Sequence, residues 1–172
     1  ALEPRLKPWK KLKSPEEKIT HVLEYVSRQY RYFGDWRRLR GGWVPRHLSE
    51  IEESHYGDCK DLSTLVVSIL RQLGFKSDVA LVERGISQWL DEPVEEMANS
   101  EEFNHAIVRA ELNGKVWWLD PTNPVVSLEP NADIANKYAL VLNPAVQGFE
   151  ALPKLKPENY IYEEEQNYNF LN

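Results

Sequence analysis

Between Gly57 and Gly74, Leu62, Leu65, Val66, Ile69, Leu70 and Leu73 recur at helical spacing, and this run constrains the chain more than any other segment. So apolar a stripe has to be buried, and the rest of the chain has to supply a surface for it. Gly57 breaks the backbone before the helix and Gly74 supplies its C-terminal stop. The lone cysteine of the protein stands at the entrance, in Tyr56-Gly57-Asp58-Cys59-Lys60-Asp61. Cys59 precedes Leu62 by three residues and Val66 by seven, which puts it on the buried side of the helix with its sulfur toward the packing surface. A thiol at a helix N-terminus faces unpaired backbone N–H groups and the positive end of the macrodipole, which favours the thiolate. The thiolate is the nucleophile.

The packing surface is spelled further along. Phe103 to Leu112 and Lys115 to Asp120 flank Asn113-Gly114, a strong two-residue hairpin signal. Val79 to Val82 and Tyr138 to Leu142 read as two more short strands. Ahead of the cysteine, Ser14-Pro15-Glu16-Glu17 forms a capping box with proline at the first helical position. It opens a helix over about 14–32 that carries Ile19, Val22, Leu23, Val26 and Tyr30. Gly34 to Arg46 reads as an extended loop, and a short helix capped by Ser49 ends near His55. Helices first and then a mostly antiparallel sheet make an α+β fold, with the cysteine-bearing helix on the sheet.

At 172 residues the chain suits one domain, and 42% hydrophobic content is enough for a core. Residues 1–13, with Pro4, Pro8 and many lysines, read as a linker or arm; 14–143 as the domain; 144–172, with Pro144, Pro153 and Pro157, as a connector. Residues 84–102 form an insertion of weak pattern. The start at Ala1, without methionine, reads as a processed form or a segment of something longer.

Two downstream residues complete a chemical constellation. In a hairpin turning at Asn113-Gly114, Leu112 pairs with Lys115, so His105 falls opposite Thr122 with Asp120 as its diagonal neighbour on the same face. Alone, His105 reads as a strand residue and Asp120 as a turn cap; together, with a cysteine on a helix start, they support acyl transfer. Cys59 attacks an amide carbonyl, His105 carries the proton to the leaving amine, and Asp120 holds the imidazole. The Cys59 N–H is a natural oxyanion donor, with Tyr32, Trp36 and Trp43 as candidates for the second. Cys59 could instead be a small buried hydrophobe, but its polar neighbours Asp58, Lys60 and Asp61 argue against a core site. A zinc site on Cys59, His55 and His105 is the rival; it lacks the paired ligand spacing such sites show. No cofactor and no metal are expected.

The net charge of −6 makes nucleic acid an unexpected partner. Four lysines between Lys7 and Lys13, and Arg37, Arg38 and Arg40, interleave with Trp9, Trp36 and Trp43, yet read as solvated surface. No apolar stretch approaches the roughly 20 residues that span a bilayer. A lone cysteine excludes an internal disulfide, so redox state does not place the compartment.

Tyr56-Gly57-Asp58-Cys59-Lys60-Asp61-Leu62-Ser63 resembles the Gly-Asp-Cys signature of the transglutaminase-like superfamily, a papain-like fold. Phe103-Asn104-His105 and Trp118-Leu119-Asp120-Pro121-Thr122 resemble its His and Asp segments, in the same order. The resemblance covers about residues 14–143 and implies that Cys59, His105 and Asp120 are a catalytic triad. More closely, the chain resembles the central catalytic domain of larger bacterial proteins, flanked there by β-rich domains and commonly exported, which implies a periplasmic or extracellular site. The expected activity is a cysteine hydrolase, protease or amidase, on peptide or glutamine-type amides of a peptide or protein substrate. Protein cross-linking by the same thioester is an alternative, as is a non-catalytic peptide- or polymer-binding module using the aromatic and Arg-rich stretch from Tyr30 to Trp43.

Overall fold

A computed structural model describes residues 3–34, 44–85, 103–146 and 148–155. The elements run α1 (Glu3–Lys10), α2 (Pro15–Gln29), β1 (Arg31–Tyr32), α3 (Leu48–Ser54), β2 (Tyr56–Gly57), α4 (Cys59–Gln72), β3 (Lys76–Val82), β4 (His105–Leu112), β5 (Lys115–Leu119), β6 (Tyr138–Val141) and β7 (Phe149–Ala151). The fold is α+β. Among the described residues, five strands form an antiparallel sheet in the order β5-β4-β3-β6-β7, while β1 and β2 make a separate parallel pair.

The apolar stripe of α4 does what its spacing demands. Leu62, Leu65, Val66, Ile69 and Leu70 are buried and pack with α2, with Ile51 of α3 and with one face of the sheet, carried by Val108, Ala110, Trp117 and Leu119. At about 25 cal/mol per Å² of apolar surface, a side chain such as Leu62 or Ile69 contributes roughly 1.5–3 kcal/mol here. Strand alternation sends Ala80, Val82, Ile107 and Trp118 to the other face, where Ile134 and Leu152 cover them.

Local signals explain most boundaries. The Ser14 hydroxyl accepts the Glu16 and Glu17 N–H groups at 3.1 and 3.4 Å, so α2 begins at Pro15. It stops at Gln29, short of the expected 32, because Arg31 and Tyr32 turn extended to pair with Tyr56 and Gly57. The short helix is capped two residues earlier than expected: His47, not Ser49, is the N-cap, and Glu50 accepts the His47 N–H at 3.2 Å. The hairpin takes the expected register, Leu112 against Lys115, with Asn113 and Gly114 both at positive φ.

Two stretches read as connectors carry structure. Residues 3–10 are helical, with Leu6 buried and Trp9 edge-on to Tyr25 at 5.4 Å. Leu6, Trp9 and Leu12 had a helical spacing that the prolines and lysines concealed. After Asn143, β7 pairs with β6 and Leu152 closes the second core. Of the expected 84–102 insertion, residues 86–102 lie outside the described residues.

Gly57 is where β2 passes closest to α4. A Cβ there would sit 2.7 Å from the Asp61 Cβ and 3.3 Å from Leu62 Cδ2. Gly57→Ala should therefore destabilise the protein by about 1–3 kcal/mol through overpacking. Urea denaturation reads this directly, and an unchanged midpoint would refute the close approach.

Candidate active site

The position of Cys59, the candidate nucleophile, is built from its surroundings inward. β1 and β2 pair in parallel, the Arg31 N–H donating to the His55 carbonyl and the Phe33 N–H to the Gly57 carbonyl, each at 2.9 Å. This sets Tyr32 against Gly57, two residues from Cys59. Asp58 caps α4, accepting the Asp61 N–H at 3.2 Å and pairing with the Lys60 ammonium. Cys59 is then the first helical residue, half-buried, and its N–H has no acceptor within the helix.

Asp61 braces this corner rather than taking part in it. Its side chain is 5% exposed and accepts from the Arg46 N–H at 2.9 Å and from Arg46 Nε at 2.8 Å. The same guanidinium donates to Ser54 Oγ and to the Tyr56 carbonyl and lies over the Tyr56 ring at 4.4 Å. One residue thus ties the loop before α3, the end of α3, β2 and α4 together. On the far side, Ser63, one turn along from Cys59, donates to the Ala106 carbonyl at 3.0 Å, tying α4 to the residue after His105.

His105 opens β4 and Asp120 directly follows β5. His105 Nε2 donates to Asp120 Oδ2 at 3.0 Å, and both side chains are almost wholly buried. The other carboxylate oxygen, Oδ1, accepts the Thr122 N–H at 3.0 Å and its hydroxyl at 2.6 Å. With Nε2 engaged, Nδ1 is left for Cys59, with which the imidazole is also hydrogen-bonded. Burial opposes a charged imidazole, but the hydrogen bonds to Asp120 and Cys59 and the charges behind them outweigh it, raising His105 to about 9. Burial likewise works against the Asp120 carboxylate, and its bonds with His105 and Thr122 prevail, so its pKa lies below the usual range. At neutral pH the arrangement holds a protonated imidazole between a carboxylate and a sulfur.

The three groups meet at element ends: the first residue of α4, the first of β4, and the residue after β5. Strand alternation sets His105 and Asp120 in line with Ile107 and Trp118, on the opposite face from Val108 and Leu119, and the imidazole meets the Cys59 side chain where β4 begins. Of the other candidates, Tyr32 stands beside the site; burial first, and then the Cys59 charge, push its phenol upward. Trp36 and Trp43 lie outside the described residues. His55 is spent elsewhere: it is the left-handed C-cap of α3, stacks on Tyr30 at 5.4 Å and places Nδ1 3.0 Å from the Gln29 carbonyl. Among the described residues no group of three His, Cys, Asp or Glu side chains could hold a metal ion, and the zinc alternative on Cys59, His55 and His105 has no geometric support.

Sequence reasoning missed Arg46, Ser63 and Arg84. Arg84 Nη1 stands 3.6 Å from Asp120 Oδ2, yet nothing near it in sequence marks it as more than the start of an insertion.

The family model described as "Transglutaminase-like superfamily" matches residues 7–120, a span that contains Cys59, His105 and Asp120. No curated protein matches the chain. Among solved structures, a "putative protease" from Parabacteroides distasonis superposes with a TM-score of 0.62 at 16% identity, over 90% of this chain and 30% of that one. A "putative cysteine protease" from Cytophaga hutchinsonii gives 0.51 at 14% identity, over 91% of this chain and 54% of that one. Calcium-bound LapG of Legionella pneumophila gives 0.54 at 14% identity, over 88% and 84% respectively. At these identities the likeness is one of fold, and the chain spans well under two thirds of the first two structures.

Proposed function

Because the chain belongs to the transglutaminase-like superfamily, we propose that it is a cysteine hydrolase that cleaves peptide or glutamine-type amides through a thioester on Cys59. The observation that carries this reading is the His105 ring shared between the Cys59 sulfur and the Asp120 carboxylate.

The steps follow from that arrangement. Beside the imidazolium, the Cys59 sulfur attacks the substrate carbonyl carbon as the thiolate. The resulting oxyanion is met by the Cys59 N–H, free at the first helical position, and by the Tyr32 hydroxyl. Burial and the neighbouring sulfur keep that phenol protonated, hence able to donate. His105 passes its Nδ1 proton to the leaving nitrogen, the C–N bond breaks, and the amine or ammonia departs, leaving the thioester. The now neutral imidazole takes a proton from water; the hydroxide attacks the thioester, the acid leaves, and the thiolate–imidazolium pair is restored. Asp120 stays ionised throughout and fixes the ring.

No step calls for a metal. Calcium accompanies LapG, but here the acidic residues around the nucleophile, Asp58 and Asp61, are committed to Lys60 and Arg46, a poor fit for a cation. The partner is a peptide or protein substrate, and flanking β-rich domains of a longer chain fit the small share of the first two structures that this chain spans. A periplasmic or extracellular site follows from the resemblance to exported proteins; no helix among the described residues is long and apolar enough to cross a membrane.

Water and a primary amine compete for the same thioester. Incubation with a glutamine-containing peptide and a labelled primary amine, with products read by mass, separates them. Hydrolysis with ammonia release is expected to dominate; amine incorporation outpacing it would make the protein a cross-linking transferase instead.

A further inference from the structure

Two residues beyond the end of β3, the chain delivers a guanidinium to the back of the site. Arg84 Nη1 is 3.6 Å from Asp120 Oδ2, the same oxygen that accepts His105 Nε2 at 3.0 Å. That nitrogen also donates to Thr122 Oγ1 at 3.2 Å, and Thr122 donates in turn to Asp120 Oδ1. From behind, Arg84 Nε donates to Asp133 Oδ2 at 2.5 Å. The Arg84 main chain is locked to the residue preceding His105: its N–H donates to Asn104 Oδ1 at 2.6 Å, and Asn104 Nδ2 donates to its carbonyl at 2.9 Å. Arg84 is therefore held against both the histidine and the aspartate, by contacts reaching 20 to 49 residues along the chain.

We propose that Arg84 is a positioning residue of the active centre: its guanidinium shares the Asp120 carboxylate with His105 and so loosens the grip of the imidazolium on the proton it must give to the leaving amine. The proposal rests on the triad reading above and assigns Arg84 a part in it. A buried carboxylate with a single cationic partner holds that partner's charge too firmly for an acid that must give up its proton. A second cation on the same oxygen divides the carboxylate's attraction and repels the first. The charged and titratable groups around His105 are Cys59 and Asp120 in contact, Asp58 at the start of α4, Tyr32 on β1, and Arg84 with Asp133 behind Asp120. Of these, Arg84 is the cation whose removal lets the imidazolium tighten, and Asp133 the anion whose removal sends Arg84 further onto Asp120.

The test reads the imidazole without needing a substrate. The rate of Cys59 alkylation by iodoacetamide is followed from acid to alkaline pH. A thiolate–imidazolium pair gives two steps, and the upper one reports loss of the imidazolium proton. Arg84→Gln is expected to move the upper step up by about half to one pH unit, the size left to a half-exposed charge a few ångströms away. Arg84→Lys should stay near wild type, and Asp133→Asn should move the step down. This opposition of sign is something a merely structural residue would not produce, and thermal melts of each variant show whether the fold is kept. If Arg84→Gln does not fold, the Lys and Asp133→Asn variants still carry the sign. The proposal is overturned by an unshifted Gln variant, by a Lys variant shifted as far as Gln, or by an upward shift in Asp133→Asn. A wild-type profile with one step, like that of an unstructured cysteine, would instead remove the triad reading and this inference with it.

Discussion

Cys59→Ala is expected to abolish amide hydrolysis, lowering kcat by roughly 10⁴- to 10⁶-fold, the range in which removal of a covalent nucleophile falls. Substrate binding should persist, because the imidazole, the carboxylate and Tyr32 remain. The loss should therefore appear in the chemical step with KM little changed. Alanine at the first helical position of α4 is well tolerated, and Cys59 is only half-buried, so the melting temperature should stay close to that of the wild type. Rapid-quench or steady-state kinetics on a glutamine-containing peptide, with a melt beside them, check both halves. Full biological function in Cys59→Ala would mean that the fold serves as a peptide- or polymer-binding module and that the reactive set is incidental.

Arg46→Met is expected to destabilise the protein by about 3–5 kcal/mol, the range in which breaking a buried ion pair falls. The mechanism is the stranding of Asp61, whose side chain is 5% exposed and accepts hydrogen bonds from Arg46 at 2.9 and 2.8 Å. The variant also releases Ser54, the Tyr56 carbonyl and the Tyr56 ring, so β2 loses its brace just ahead of Cys59. Asp61→Asn in the Arg46→Met background should recover part of the loss, since a neutral amide costs less than an unpaired carboxylate to bury. Urea denaturation of the single and double variants measures this. A single-variant loss below about 1 kcal/mol would show that the pair is a surface decoration and not the clamp of the corner.

Local signals in this chain were legible where the governing physics is local. The stripe from Leu62 to Leu73 announced α4 because helix periodicity and burial act within a few turns. Asn113-Gly114 announced its hairpin and register because a two-residue turn with both residues at positive φ permits few alternatives. That register sets His105 and Asp120 within reach of each other on local grounds alone. Helix α1 was hidden because three apolar positions make a weak pattern beside Pro8 and four lysines; it exists because Leu6 and Trp9 have α2 to pack on. Strand β7 is three residues long and owes its form to the free edge of β6.

The amino-acid sequence by itself determined the fold class, the cysteine at the mouth of the buried helix, and the order and register of the histidine and aspartate. Each of these follows from spacing within an element or across one tight turn. Tertiary structure alone decided that Tyr32 stands beside Cys59, that Arg46 clamps Asp61, and that Arg84 reaches Asp120. The reason is the range of the interactions: Arg46 meets Asp61 across 15 residues and Arg84 meets Thr122 across 38. A charged side chain carries no local mark of the partner it will find, and only the packing of α4 on the sheet brings those partners within a few ångströms.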